Sequence, residues 1–418
     1  MRLLKIETLR RALAAVMPLA TLAWACPASA EEPVETAVKA WVAAIDVAPE
    51  WQAAYTGLTV DPASGKATLT GLAVKSEQPG FSMAFTTITI AGFHATTDGT
   101  FSADEIDLDG GDIEVGAFSF RIADAAIAAP VLPETGGFIW DNGDPLVSAI
   151  KMLAPLTKAT AASARAGPIT VVETVQGVQT QTVYNDVKVA GWRNGKIAAM
   201  SAGPVKTESP MRTDPPSQPP LVTLSTDASE TRDVDLNALL AVYDPASYAG
   251  GLGDGVWRQA IGHAAYHHLV IGIPGVTLTV GDAAVNGLRV RQPKALPPPG
   301  PQADASSLSV KDQLLRRFEK LALYGMDRFA LSNLDLAIPG LVDRAHLDGV
   351  TLSDTSTDRV GDLVLTGLSL AVSGGGDPST SGNLPSVASL FPRPTQLKQL
   401  WRRRLSPATS TTAALSRR

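Results

Sequence analysis

Cysteine is all but missing from this chain: its 418 residues contain one, Cys26. That excludes a framework of intrachain disulfides and any cysteine-rich zinc or C-x-x-C redox centre. Long apolar runs are missing too. The run at residues 12–25 is too short to span a bilayer comfortably, and no other approaches that length. Catalytic signatures are equally scarce. No G-x-S-x-G elbow, phosphate loop, H-E-x-x-H or dinucleotide fingerprint occurs. Nothing positive therefore points to an enzyme or to a cofactor.

What is present begins with an export signal. Arg2, Lys5, Arg10 and Arg11 give a positive start, residues 12–25 an apolar stretch, and Ala28-Ser29-Ala30 a small-residue cleavage site. This reads as a cleavable secretory signal over residues 1–30 and implies a bacterial periplasmic protein. Ala23-Trp24-Ala25-Cys26 offers a second reading, a lipoprotein anchored through Cys26. After cleavage at Ala30 the mature chain would hold neither a cysteine nor a membrane-spanning helix.

Charge is unevenly spread. Residues 31–377 carry 24 Lys and Arg against 40 Asp and Glu, a net of −16. Residues 378–418 carry seven basic residues and no acid. An acidic body argues against nucleic acid as a partner. The basic tail, rich in Ser, Thr, Pro and Ala, reads as disordered over residues 375–418.

One six-letter pattern recurs: apolar, small polar, Gly or Asn, apolar, any, apolar. Copies are "YTGLTV" at 55–60, "LTGLAV" at 69–74, "IAGFHA" at 90–95, "VNGLRV" at 285–290, "LSNLDL" at 331–336, "LDGVTL" at 347–352 and "LTGLSL" at 365–370, with "YNDVKV" at 184–189 a relative. On both sides of the small pair, apolar and polar letters alternate, the period of a strand with one buried face. Across the pair the phase slips by one residue, which would turn the apolar set to the wrong face. A kink or bulge absorbs the slip, and Gly or Asn takes the positive φ it needs. Each copy is thus a bent strand or two short strands meeting at a turn. The run 105–115 reads as a hairpin turning at Gly110-Gly111, and 276–280 as a strand leading into the copy at 285.

Helices are expected at 34–45, at 146–164, at 235–243 with Asp235 as cap, and at 309–324 with Ser309 as cap. Proline-rich stretches at 204–221 and 293–308 read as linkers. They divide the mature chain into a β-rich region with helices (31–203), a middle α/β region (222–292) and a helix followed by β repeats (309–374). The expected class is β-dominated α+β: an extended, curved antiparallel sheet of bent repeat strands with a few packing helices.

Two clusters invite a metal. Asp107, Asp109 and Asp112, with Asp104, Glu105 and Glu114, supply the carboxylates calcium prefers, although solvation of a strand's polar face accounts for them equally. His263 and His267 stand four apart, so a helix would place both on one face as zinc requires, although packing or surface placement serves as well.

Strands such as "ATLTGLAV", "RFALSNLDLAI" and "GDLVLTGLSLAV" resemble those of the AsmA-like periplasmic β-repeat proteins. The resemblance covers about residues 51–125 and 270–374. It implies a long curved sheet with an apolar concave face and a role in handling lipid or maintaining the envelope. Three functional expectations follow. The first is a non-enzymatic envelope protein binding or shielding lipid or another apolar ligand. The second is a structural or protein-interaction module of the periplasm. The third is a periplasmic hydrolase without a recognisable motif. Partners would be lipid or envelope proteins, and the oligomeric state is left open.

Overall fold

The computed structural model describes residues 34–46, 51–76, 81–95, 101–115, 118–132, 154, 157–175, 178–210, 220–243, 247–248, 252–292, 324–339, 342–356 and 361–372. Residues 1–371 form one compact unit and 372–418 another; of the second, only Val372 lies within the described residues. The signal segment, the proline-rich stretch at 293–308, most of the expected helix at 309–324 and the basic tail lie outside them.

A helix, α1 (Val34–Asp46), precedes an antiparallel meander in which each row of the sheet is a strand or a pair of collinear strands. The first row is β1 (Trp51–Ala54) with β2 (Gly57–Asp61), and both pair with β3 (Lys66–Ser76). Beside β3 runs β4 (Phe81–Ala91), extended by β5 (His94–Ala95). Next come β6 (Phe101–Ser102) with β7 (Glu105–Val115), then β8 (Phe118–Ala128) with β9 (Val131–Leu132). β10 (Thr160–Ala166) and β11 (Ile169–Val175) share the other side of β8. β12 (Val178–Tyr184) with β13 (Val187–Arg193), β14 (Lys196–Ala202) with β15 (Val205–Pro210), and β16 (Leu221–Thr226) with β17 (Ala228–Asp235) follow as further rows. After the short helix α2 (Leu236–Tyr243), long single strands continue the order: β18 (Arg258–Ile273), β19 (Val276–Val290), β20 (Tyr324–Ile338), β21 (Val342–Thr355) and β22 (Leu363–Val372). The Ser353 N–H bonds Asp362 O at 3.0 Å and Thr366 Oγ1 donates to Gly349 O at 3.4 Å, which together set β22 antiparallel to β21.

The repeated six letters are folds in this sheet. Following the register from row to row, one line crosses every row: Thr56, Gly71, Thr86, Gly110, Ala123, Pro168, Asn185, Pro204, Asp227, His268, Gly281, Asn333, Asp348 and Gly367. A second line runs six residues away in the rows from β4 to β21, through Gly92, Asp104, Ala129, Ala162, Gly191, Ala198, Asp233, Gly262, Gly287, Asp327 and Asp354. Of the seventeen positive-φ residues among those described, eleven lie on these lines, five on the first and six on the second. At each crossing two successive residues face outward, so the phase slips in every row together and the ladder stays in register. β4 shows it: Met83 and Phe85 are buried, Thr86 and Thr87 are not, and Ile88 and Ile90 are buried again. The slip read from the sequence is thus real, and it belongs to the whole sheet rather than to single bulges.

The folds divide the sheet into three panels whose inner faces share one core. Phe85 and Ile113 come from the first panel, Ile88, Ile106 and Val189 from the second, and Phe101, Trp192 and Ile197 from the third. α1 closes the N-terminal end. Its Val38, Trp41 and Val42 are buried, it packs on β1, β2 and β3, and the Trp41 ring lies 6.1 Å from Phe101 of the third panel. α2 is capped as expected, with Asp235 Oδ1 accepting from the N–H groups of Asn237 (2.9 Å) and Ala238 (3.3 Å). It packs on β18 and β19.

Several expectations need correction. Residues 105–115 are not a hairpin: β7 runs straight through, kinked at Gly110 (φ 64°), because the glycine pair occupies the first fold line. Residues 160–164 are not helical: this alanine-rich segment is β10, held between β8 and β13. The stretch from 204 is not a linker in its first part, since Val205–Pro210 is β15 and pairs directly with β16. Prolines are tolerated at 168, 204 and 210 because the first two sit on a fold line and the third ends a strand.

Candidate functional site

The inner face changes along the sheet. In the β3 to β17 portion the inward residues are nearly all enclosed. From β18 onward the same positions lose their cover. On β18, Leu269 is buried, Ile271 half-buried and Ile273 exposed. On β20, Leu331, Leu334 and Leu336 are half-buried, as are Leu347, Val350 and Leu352 of β21. On β22 the inward residues are open: Leu363 is 58% exposed, Leu365 53%, Leu368 58% and Leu370 50%. A smaller core of Leu224, Tyr266, Leu269, Val280 and Ala283 separates this open end from the main one. Folding of the strands has thus gathered a continuous aliphatic surface that the described residues leave partly uncovered, larger than scattered surface leucines would give.

Polar groups stand elsewhere. The buried Thr182 pairs with Thr207 at 3.0 Å, and Thr226 donates to His267 O at 2.6 Å, so these hydroxyls are satisfied within the sheet. At the third-panel end, burial pushes the Tyr324 phenol up to about 12. At the same end of the sheet, where Arg258 pairs with Val290 and Val290 with Tyr324, the Arg258 guanidinium and the Val256 N–H hold the exposed Asp254 carboxyl down at about 2. Gln292 ties this corner to α2, its Nε2 donating to Ala241 O at 2.7 Å while its Oε1 accepts from Asp254 N–H at 2.9 Å.

The residues singled out as metal candidates fall on the outer face. His263 and His267 lie on β18, not on a helix, so their spacing of four carries them to the two different fold lines. His263 Nδ1 is 2.7 Å from Asn286 Oδ1, and His267 Nδ1 is 2.7 Å from Asp282 Oδ1. His268 meets Asp227 at 3.0 Å on the first fold line. Asp107, Asp109 and Asp112 share the outer face of β7, where Asp112 pairs with Arg121 at 3.0 Å. Among the described residues no group of three or more His, Cys, Asp or Glu side chains converges as metal ligands. Nor is any described helix long and apolar enough to cross a membrane.

The signal for the open face was in the letters, in the leucines of 363–370, but its exposure was not. The chain matches no known family model, no curated protein and no solved structure with which it was compared.

Proposed function

We propose that this is an exported, non-enzymatic protein of the bacterial envelope that holds the acyl part of a lipid against the inner face of β18–β22. The single observation that carries the reading is the row of inward leucines on β20, β21 and β22, half-buried and then open, with no charged side chain among them. Five strands at about 4.8 Å spacing give a strip on the order of 19 Å across, the length scale of an acyl chain. Each methylene removed from water there contributes about 0.8 kcal/mol. The AsmA-like style of the strands and the secretory leader support the same assignment, with the periplasm as the compartment.

The test is mass spectrometry of the chain purified from a bacterial periplasm without detergent, extracted for lipid. A phospholipid at a stoichiometric ratio, lost from the double variant Leu365→Glu, Leu368→Glu while the fold persists, supports the proposal. A folded, lipid-free protein overturns it.

A further inference from the structure

The two ends of the sheet carry the same corner. β22 is bonded to β21 on one side, and among the described residues no strand pairs with its other edge. That edge reads Leu-Val-Leu-Thr-Gly-Leu-Ser-Leu-Ala-Val, with no charge and no proline to discourage pairing. Natural sheets protect long apolar edges, because an unprotected one is a template for pairing with another chain. At the opposite end, β2 pairs with β3, and among the described residues no strand pairs with the other edge of β2.

We infer that β22 of one molecule pairs with β2 of a second copy, head to tail, continuing the folded sheet from molecule to molecule. Three observations agree on the register. First, the outward pair of β22 is Thr366-Gly367 and that of the first row is Thr56-Gly57, the letters that already meet reciprocally inside the chain, where Gly57 faces Thr70 and Thr56 faces Gly71. There Thr70 Oγ1 donates to Gly57 O at 3.2 Å and Thr56 Oγ1 to Thr70 O at 3.0 Å. Second, aligning the two corners sets Leu363 opposite Val60 and Leu365 opposite Leu58. Inward residues then meet inward residues, and panels meet like panels. Leu58 and Val60 are themselves only half-buried against the core, so both edges gain cover. Third, Ser353 bonds Asp362, so by strict alternation Val364 bonds β21 while Leu363 and Leu365 aim their N–H and C=O groups at the free edge. Because the contact joins two different edges, it is heterologous and propagates as an open chain of molecules. This inference does not depend on lipid occupying the inner face of β18–β22.

The near absence of cysteine makes the test direct. In the full chain with Cys26→Ser, Thr59→Cys and Val364→Cys fall opposite one another in this register. Both positions are exposed, so the fold should tolerate the changes, and the pair is of the closely spaced, non-hydrogen-bonded kind that a disulfide spans. Mild oxidation of the double variant is expected to give covalent dimers and a ladder of longer species. Mixing the two single variants is expected to give dimers and nothing larger. Dimers from Val364→Cys alone would mean a two-fold pairing of β22 edges and overturn the inference. So would an uncrosslinked chain, whether light scattering finds it monomeric or associated through another face.

Discussion

Gly110 shows what a fold line demands of one residue. Its φ of 64° is left-handed, and Thr86 Oγ1 of the neighbouring strand lies 2.5 Å from where a Cβ would stand. Gly110→Val is therefore expected to lower stability by about 1–3 kcal/mol, read as a reduced urea midpoint with an unchanged slope. Tyr324 makes a different demand. Burial favours its neutral phenol, raising its folded-state value from 10 to about 12. Stability from that group is present below pH 10 and is lost as pH rises toward 12. Wild type and Tyr324→Phe should thus diverge in alkaline denaturation, the wild type losing more over that window. Fold-line glycines were legible because their letters repeat. Ala123-Asp124, Gly167-Pro168, Gly203-Pro204 and His267-His268 were not, though they stand on the same line. They meet the requirement for two outward residues with other letters, and only the register reveals it.

The elements divide by what holds them. α2 rests on its cap and its packing, and Asp235→Ala is expected to cost about 1 kcal/mol, measured by thermal or urea unfolding. α1 was legible as an amphipathic segment, and so was the Asp235 cap. β10 was not, because Thr160–Ala166 is rich in alanine and its local preference is helical. Ladders on both sides override that preference. β7 misled in another way. A Gly-Gly pair between two alternating runs is a hairpin signal in isolation, and only the flanking β4 and β8, each bent at the same level, make it a kink in a continuing strand. The spacing of His263 and His267 failed for the same reason: four residues place two side chains together on a helix and apart on a strand.

At the scale of the molecule, "LTGLAV" and "LTGLSL" have the same local structure and opposite surroundings. Leu69 and Leu72 are each 1% exposed, whereas Leu365 and Leu368 stand open. Sequence periodicity fixes which way a leucine faces. What lies over it depends on the number of rows, the closing helix α1 and the end of the sheet, none of which is written in six letters. The β-dominated class and the inward apolar face were therefore legible, while the open end was not. The most direct measurement is photocrosslinking of a diazirine-bearing phospholipid to the full chain, with the labelled residues mapped by peptide mass spectrometry. The account predicts labels on the inward positions Leu334, Leu347, Val350, Leu365 and Leu368, and none on the outward neighbours Asp335, Thr351 and Val364. Equal labelling of both sets, or labelling no greater than that of the unfolded chain, would contradict it.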